Sequence, residues 1–191
     1  MQLTNKDALI IVDVQKDFLE HGSLPVPGSA QIIGVLNRYI EIFSRKYLPV
    51  FATRDWHPLK HCSFVEQGGT WPEHCVQYTE GAAFAHGLNL PGEVIVISKG
   101  TAADVDAYSG FQGTDLNQRL QVLSIEQLFI GGLALDVCVL HTVLDAIRHG
   151  YRVHVLEDAS RAVNSHRGDG AEAITVMQTA GASLLTIEQL A

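Results

Sequence analysis

Cys138 lies in GLALDVCVLHT (residues 132–142), after the apolar run QLFIG and at the opening of a helical pattern. A thiol at a helix N-terminus sits near unpaired backbone N–H groups and the positive end of the helix dipole. Both favour the thiolate, the nucleophilic form of cysteine. Taken alone, a free cysteine in a strand-to-helix turn reads equally as one small buried apolar residue. Its company changes that: Asp13 comes near the end of ALIIVDV and Lys99 near the end of VISKG, so a carboxylate and an ammonium stand at two other strand ends. An apolar strand makes the Asp13 charge costly and raises its pKa unless a cation offsets the burial. Lys99 can supply that cation, holding Asp13 ionised and favouring the Cys138 thiolate. A salt bridge that merely satisfies two buried charges is the alternative; three reactive groups at three strand ends argue for a catalytic trio.

A second constellation follows the second apolar run. Asp55 and His57 are two residues apart in TRDWHPLKHCSF (53–64), so an extended backbone puts both side chains on one face. His61 comes four residues later and His74 lies in TWPEHCVQ (70–77), giving one carboxylate and up to three imidazoles. Such a set suits one divalent ion, zinc first and iron or manganese as alternatives, and three or four protein ligands leave a position for water or substrate. Solvent-facing histidines in a loop would explain any one of these residues; Asp-X-His after a strand with two more histidines nearby argues for the metal. His21, His86, His141, His149, His154 and His166 read as surface or core residues, and Cys62 and Cys75 carry no assigned role.

The elements that must position these groups are legible as apolar runs alternating with helical periods. The runs are ALIIVDV (8–14), PVFATR (49–54), EVIVIS (93–98), QLFIGG (127–132), YRVHVLE (151–157) and ASLLTI (182–187). Helical patterns lie near 29–46, 114–122, 137–149 and 167–180, with Thr114 as the N-cap of the second and Gly150 and Gly181 as C-terminal stops. The pattern predicts an α/β fold: a doubly wound, six-stranded, mainly parallel sheet flanked by helices on both faces. Right-handed crossovers then put the pocket beyond the carboxyl ends of the strands, at a switch in strand order. Asp13, Asp55, Lys99 and Cys138 all fall there. Residues 55–92, dense in His, Trp, Gly and Pro, read as one long irregular region, and loops of that length are usually functional or disordered.

The chain has 191 residues, 47% apolar and 18% charged, which suits one domain over 1–191. A formal charge of −8 argues against nucleic acid and acidic membranes as partners and leaves small molecules. No basic region followed by an apolar run opens the chain, and no apolar stretch reaches bilayer length, so a cytoplasmic location is expected. Three cysteines, an odd number, suit free or catalytic thiols better than a disulfide framework. Assembly into a homo-oligomer is left open.

Asp13 in IIVDVQKDF, Asp55 and His57 in TRDWHP, His74 in WPEHC, Lys99 in SKG, Tyr108 in AYSGF and Cys138 in GLALDVCV occur together and in order. In this the chain resembles the nicotinamidases of the isochorismatase-like cysteine hydrolases, from about residue 8 to residue 160. The resemblance implies hydrolysis of nicotinamide to nicotinate and ammonia in NAD salvage, acceptance of pyrazinamide, and a catalytic triad of Asp13, Lys99 and Cys138. It implies metal ligands Asp55, His57 and His74; His61 falls where some members have a further histidine ligand and others use water. It also implies an oxyanion site at the N–H groups of Ala134 and Cys138, with a cis peptide between Leu133 and Ala134. Phe18, Trp71 and Tyr108 match aromatics around the substrate ring, though such residues pack cores in most proteins. Two other functions are open: a related cysteine hydrolase acting on an N-carbamoyl or ureido amide without metal, and a non-enzymatic metal-binding or interaction protein on the same scaffold.

Overall fold

The computed structural model describes residues 1–190. Its strands are β1 (Asp7–Val12), β2 (Val50–Asp55), β3 (Ile95–Lys99), β4 (Gln127–Leu133), β5 (Arg152–Arg161) and β6 (Ser183–Leu185). They form one parallel sheet in the order β3-β2-β1-β4-β5-β6. The side-chain alternation of β1 shows why both faces are covered. Leu9 and Ile11 enter one core, while Ala8, Ile10 and Val12 enter the other. On the first face packs α1 (Gln31–Arg45), which buries Ile32, Leu36, Tyr39, Ile40 and Phe43 at the three-to-four-residue spacing of an amphipathic helix. The second core is completed from α2 (Leu116–Val122), α3 (Leu140–Arg148) and α4 (Asp169–Ala180). A short α5 (Ile187–Leu190) returns Ile187 and Leu190 to the first core.

The boundaries differ from the sequence reading in ways that matter for the site. β1 stops at Val12 because Asp13 takes a left-handed conformation, φ 48°, which aspartate tolerates better than most residues. β2 and β3 each run one residue further than expected, so Asp55 and Lys99 are strand residues and direct partners across the ladder. The helix expected at 137–149 opens two residues earlier, as a π-type turn over Leu135–Val139 followed by α3, and Cys138 lies inside that turn. Asp115, not Thr114, is the N-cap of α2; the Thr114 hydroxyl accepts the Leu116 N–H at 3.2 Å and donates to the Gly110 carbonyl at 2.6 Å. The four residues of α5 are too few to show a period and were not expected.

Between β2 and β3 the chain is irregular apart from a 3-10 turn, Val65–Gln67. It is nevertheless tied down. The His57 N–H donates to the Cys75 carbonyl at 3.0 Å and the Gln77 N–H to the His57 carbonyl at 2.8 Å, which brings His74 beside His57. Strand order reverses between β1 and β4, and the crevice at their carboxyl ends is where an open parallel sheet binds ligands. Among the described residues no helix is long and apolar enough to cross a membrane.

Candidate active site and metal centre

Each strand end at the crevice delivers one group: Asp13 after β1, Asp55 on β2, Lys99 on β3 and Cys138 in the turn after β4. Lys99 is the hub. Its Nζ donates to Asp55 Oδ1 at 2.5 Å, to the Ala107 carbonyl at 3.0 Å and to Cys138 Sγ at 3.5 Å, which uses all three ammonium hydrogens. Asp13 Oδ2 is 2.9 Å from Nζ, at ion-pair distance but outside hydrogen-bonding geometry, so among the described residues that oxygen keeps a free acceptor site. Asp13 Oδ1 accepts the Thr53 hydroxyl at 2.6 Å. Asp13, Asp55 and Cys138 present ligand atoms within 4.8 Å of one another, but the Lys99 ammonium supplies the positive charge a metal would otherwise bring there.

Burial sets the electrostatics. It pushes the Asp13 carboxyl above its ordinary pKa, with Lys99 drawing it part of the way back. Burial acts in the same direction on Asp55, but Lys99 and the imidazoles of His57 and His74 outweigh it and hold that carboxyl below the usual range. Lys99 loses by desolvation and gains more from the two carboxylates, so it stays charged. At Cys138 burial outweighs the influences that favour the thiolate. Burial pushes the thiol well up, Lys99 opposes, and Asp13 and Asp55 add to the rise, so the neutral thiol is the resting form.

The second cluster shares Asp55. The His57 Nδ1–H faces the Gly100 carbonyl at 3.0 Å and the His74 Nδ1–H the Pro72 carbonyl at 2.7 Å. Those bonds select the tautomers that leave both Nε2 lone pairs free. Asp55 Oδ2 is 3.6 Å from His57 Nε2 and 3.8 Å from His74 Nε2, and all three side chains are buried. Burial lowers the His74 pKa, which keeps it in the neutral form a metal needs. Three buried donors facing one another in this way can hold a divalent metal with a coordination position to spare. Gly100 makes room for one of them: at φ 60° a Cβ there would lie 2.5 Å from His57 Cε1. His61 stacks on His57 at 4.0 Å between ring centroids but stands outside the three-donor cluster. Its Nδ1 bonds Ser63 Oγ at 2.7 Å and its Nε2 the Val105 carbonyl at 3.2 Å, so neither nitrogen is free.

One cavity of about 460 Å³, its open mouth included, is lined by Cys138, Ala134, Asp55, His57 and His74 together with Phe18, Trp71 and Tyr108. Trp71 Nε1 donates to the Tyr108 hydroxyl at 3.0 Å, and the Phe18 ring lies 5.6 Å from that of His74. The Leu133–Ala134 peptide is cis. Sequence reasoning missed Thr53, Ala107 and Gln15. Thr53 alone carried a signal, since it precedes Asp55 by two and so shares its strand face.

Residues 7–189 match the isochorismatase domain family. The chain belongs to that family. It is 39% identical to nicotinamidase of Escherichia coli over 201 residues, with 94% of each chain covered. Among solved isochorismatase-like structures it is similar to pyrazinamidase of Pyrococcus horikoshii in complex with zinc, with 43% identity, a TM-score of 0.92, and 95% of this chain and 99% of that one covered. It is also similar to an L. infantum protein solved in complex with nicotinate, with 35% identity, a TM-score of 0.89, and 100% and 98% covered.

Proposed function

We propose that the chain is an amidohydrolase that converts nicotinamide to nicotinate and ammonia, accepts pyrazinamide, and serves NAD salvage in the cytoplasm. One observation carries the reading. Lys99 joins the buried Asp13 to Asp55 and Cys138, and the latter two line a cavity together with two ligand-competent imidazoles. Its kinship to nicotinamidases and pyrazinamidases supports the substrate class. Three free cysteines suit a reducing compartment.

Amide resonance makes the carboxamide carbon a poor electrophile, so the site must supply a strong nucleophile, hold the oxyanion and protonate the departing nitrogen. Because the thiol is neutral at rest, attack and deprotonation go together: the free Asp13 Oδ2 takes the S–H proton as Cys138 Sγ bonds to the carboxamide carbon. Lys99 stabilises the charge on this group of atoms throughout. The N–H groups of Ala134 and Cys138 hold the oxyanion of the tetrahedral intermediate, a donor of this kind being worth about 3 kcal/mol in the transition state. The C–N bond then breaks, Asp13 returns the proton to nitrogen, and ammonia leaves a thioester. Water gives a proton to the same carboxylate and its oxygen to the acyl carbon; the C–S bond breaks and Asp13 reprotonates the sulfur.

Asp55, His57 and His74 would hold the divalent metal, which when bound supplies a Lewis-acid anchor for the pyridine nitrogen. Zinc is the proposed ion, from the donor set and from the zinc complex of the P. horikoshii relative. Phe18, Trp71 and Tyr108 give the ring flat apolar walls. An N-carbamoyl or ureido hydrolase would share the triad without needing these three donors. The deciding experiment is incubation with nicotinamide, with ammonia and nicotinate quantified before chelation, after it, and after metal return. Equimolar products that depend on metal are expected. Failure of the metal-loaded protein to release ammonia from nicotinamide overturns the proposal; activity that survives chelation and prefers a ureido compound moves it to the related hydrolase.

A further inference from the structure

β1 ends before β2 does, and a side chain completes the missing rungs. The Asp13 N–H still donates to the Thr53 carbonyl at 3.2 Å, the last main-chain rung between the two strands. In a parallel ladder the next rungs would join the Asp55 N–H to the Asp13 carbonyl and the Asp55 carbonyl to the N–H of residue 15. The left-handed turn at Asp13 removes both, since the Gln15 N–H folds back onto the Asp13 carbonyl at 2.8 Å. The Gln15 carboxamide takes their place. Its Oε1 accepts the Asp55 N–H at 2.8 Å and its Nε2 donates to the Asp55 carbonyl at 2.8 Å. The second Nε2 hydrogen goes to the Ala82 carbonyl at 2.9 Å, tying in the segment whose Ala83 and Ala85 bond the main chain at Lys16 and Val14. Gln15 is fully buried.

We propose that Gln15 is a positioning residue for Asp55, clamping both of its main-chain polar groups so that one carboxylate oxygen meets Lys99 and the other faces His57 and His74. Asp55 is the one side chain common to both clusters, so a rotation of its backbone misaligns both. The inference rests on the metal reading of Asp55, His57 and His74 given above. Gln15→Met keeps the length and removes all three hydrogen bonds. Gln15→Glu keeps the Oε1 acceptor but turns an oxygen toward the carbonyls of Asp55 and Ala82.

The test measures the zinc dissociation constant by chelator competition, together with the rise in Tm that zinc confers on the apo protein. Tyr39→Phe is the control, since it deletes a 2.9 Å hydrogen bond to Asp158 beside α1, away from both clusters. Zinc binding about 10- to 100-fold weaker is expected for Gln15→Met, as for other residues that orient a metal ligand, with a correspondingly smaller zinc-induced rise in Tm. Tyr39→Phe should lower the apo Tm and keep the wild-type affinity. If Gln15→Met lowers the apo Tm yet binds zinc as tightly as wild type, the residue is only structural and the inference is overturned. Should Gln15→Met not fold, Gln15→Glu is read by the same criterion. Wild-type protein that takes up no zinc overturns the metal reading and this inference with it.

Discussion

Asp13, Lys99 and Cys138 stand at strand ends whose places two apolar cores dictate, whereas His57 and His74 stand on irregular chain and are each aimed by one Nδ1–H bond, to Gly100 and to Pro72. The first group is paired before any ligand arrives, with Lys99 satisfied by four partners in the resting protein. The second presents free lone pairs 3.6 and 3.8 Å from a carboxylate oxygen, an arrangement complete only when something positive sits among them. On the proposed function, the chemistry that must not drift is therefore mounted on the sheet, and the group proposed to hold a ligand in register is mounted on loop. Asp55 belongs to both, which makes it the point where damage on one side should reach the other.

The comparison breaks most sharply at the sulfur. Cys138→Ala removes the proposed nucleophile but no charge and little volume, so a folded protein with normal zinc content and turnover reduced by at least about 10⁴-fold is expected, measured as ammonia release. Turnover near wild type in this variant would end the thioester mechanism. Lys99→Met comes next, because it leaves Asp13 and Asp55 buried without their shared cation. Breaking a buried pair in this way destabilises by about 3–5 kcal/mol, to be read from urea unfolding, and activity should fall with it. A stable, active Lys99→Met protein would show that the hub is dispensable and that strand-end mounting does not explain the site.

How far these two regions were legible in the sequence follows the same division. Apolar runs identify strands, and strand ends identify candidate residues, so Asp13, Asp55, Lys99 and Cys138 could be gathered without coordinates. Which strands are neighbours is not encoded in any one run, and for that reason the sequence pairs Lys99 with Asp13 and Cys138 but does not show Asp55, its ladder partner. At Cys138 the sequence shows the helix position and Lys99, which favour the thiolate, but not the burial and the nearness of Asp55, which raise the pKa against them. In the loop, Asp-X-His was legible as local spacing, but the tie of residue 57 to residues 75 and 77 that brings in His74 is non-local. Gln15 has no signature of this role: a glutamine three residues past the end of β1 looks like any polar surface residue, and only the early end of β1 gives it work.

The loop-mounted side should fail more gently. His57→Ala deletes one of three donors while leaving the Lys99 hub intact, so the expected loss is in binding: zinc affinity and KM for nicotinamide both worsen by about 10- to 100-fold, with a smaller change in kcat at saturating metal and substrate. Isothermal titration with zinc and initial-rate kinetics separate these terms. A large fall in kcat with unchanged KM and metal affinity would place His57 in the chemistry and erase the distinction between the two regions.

The smallest effect expected is the most specific. Thr53 donates to Asp13 Oδ1 at 2.6 Å, a bond that favours the ionised carboxylate and so holds down a pKa that burial pushes up. The proposed base works only when ionised, so kcat/KM should fall as pH drops through the Asp13 pKa. Thr53→Val keeps the shape and removes the donor; the Asp13 pKa then rises further and the acid limb of kcat/KM moves to higher pH, with the plateau at higher pH reduced by a few-fold or less. The direction is diagnostic, because a variant that merely loosened the fold would lower the plateau without moving the limb. A shift to lower pH would mean that the group titrating on the acid side is not Asp13.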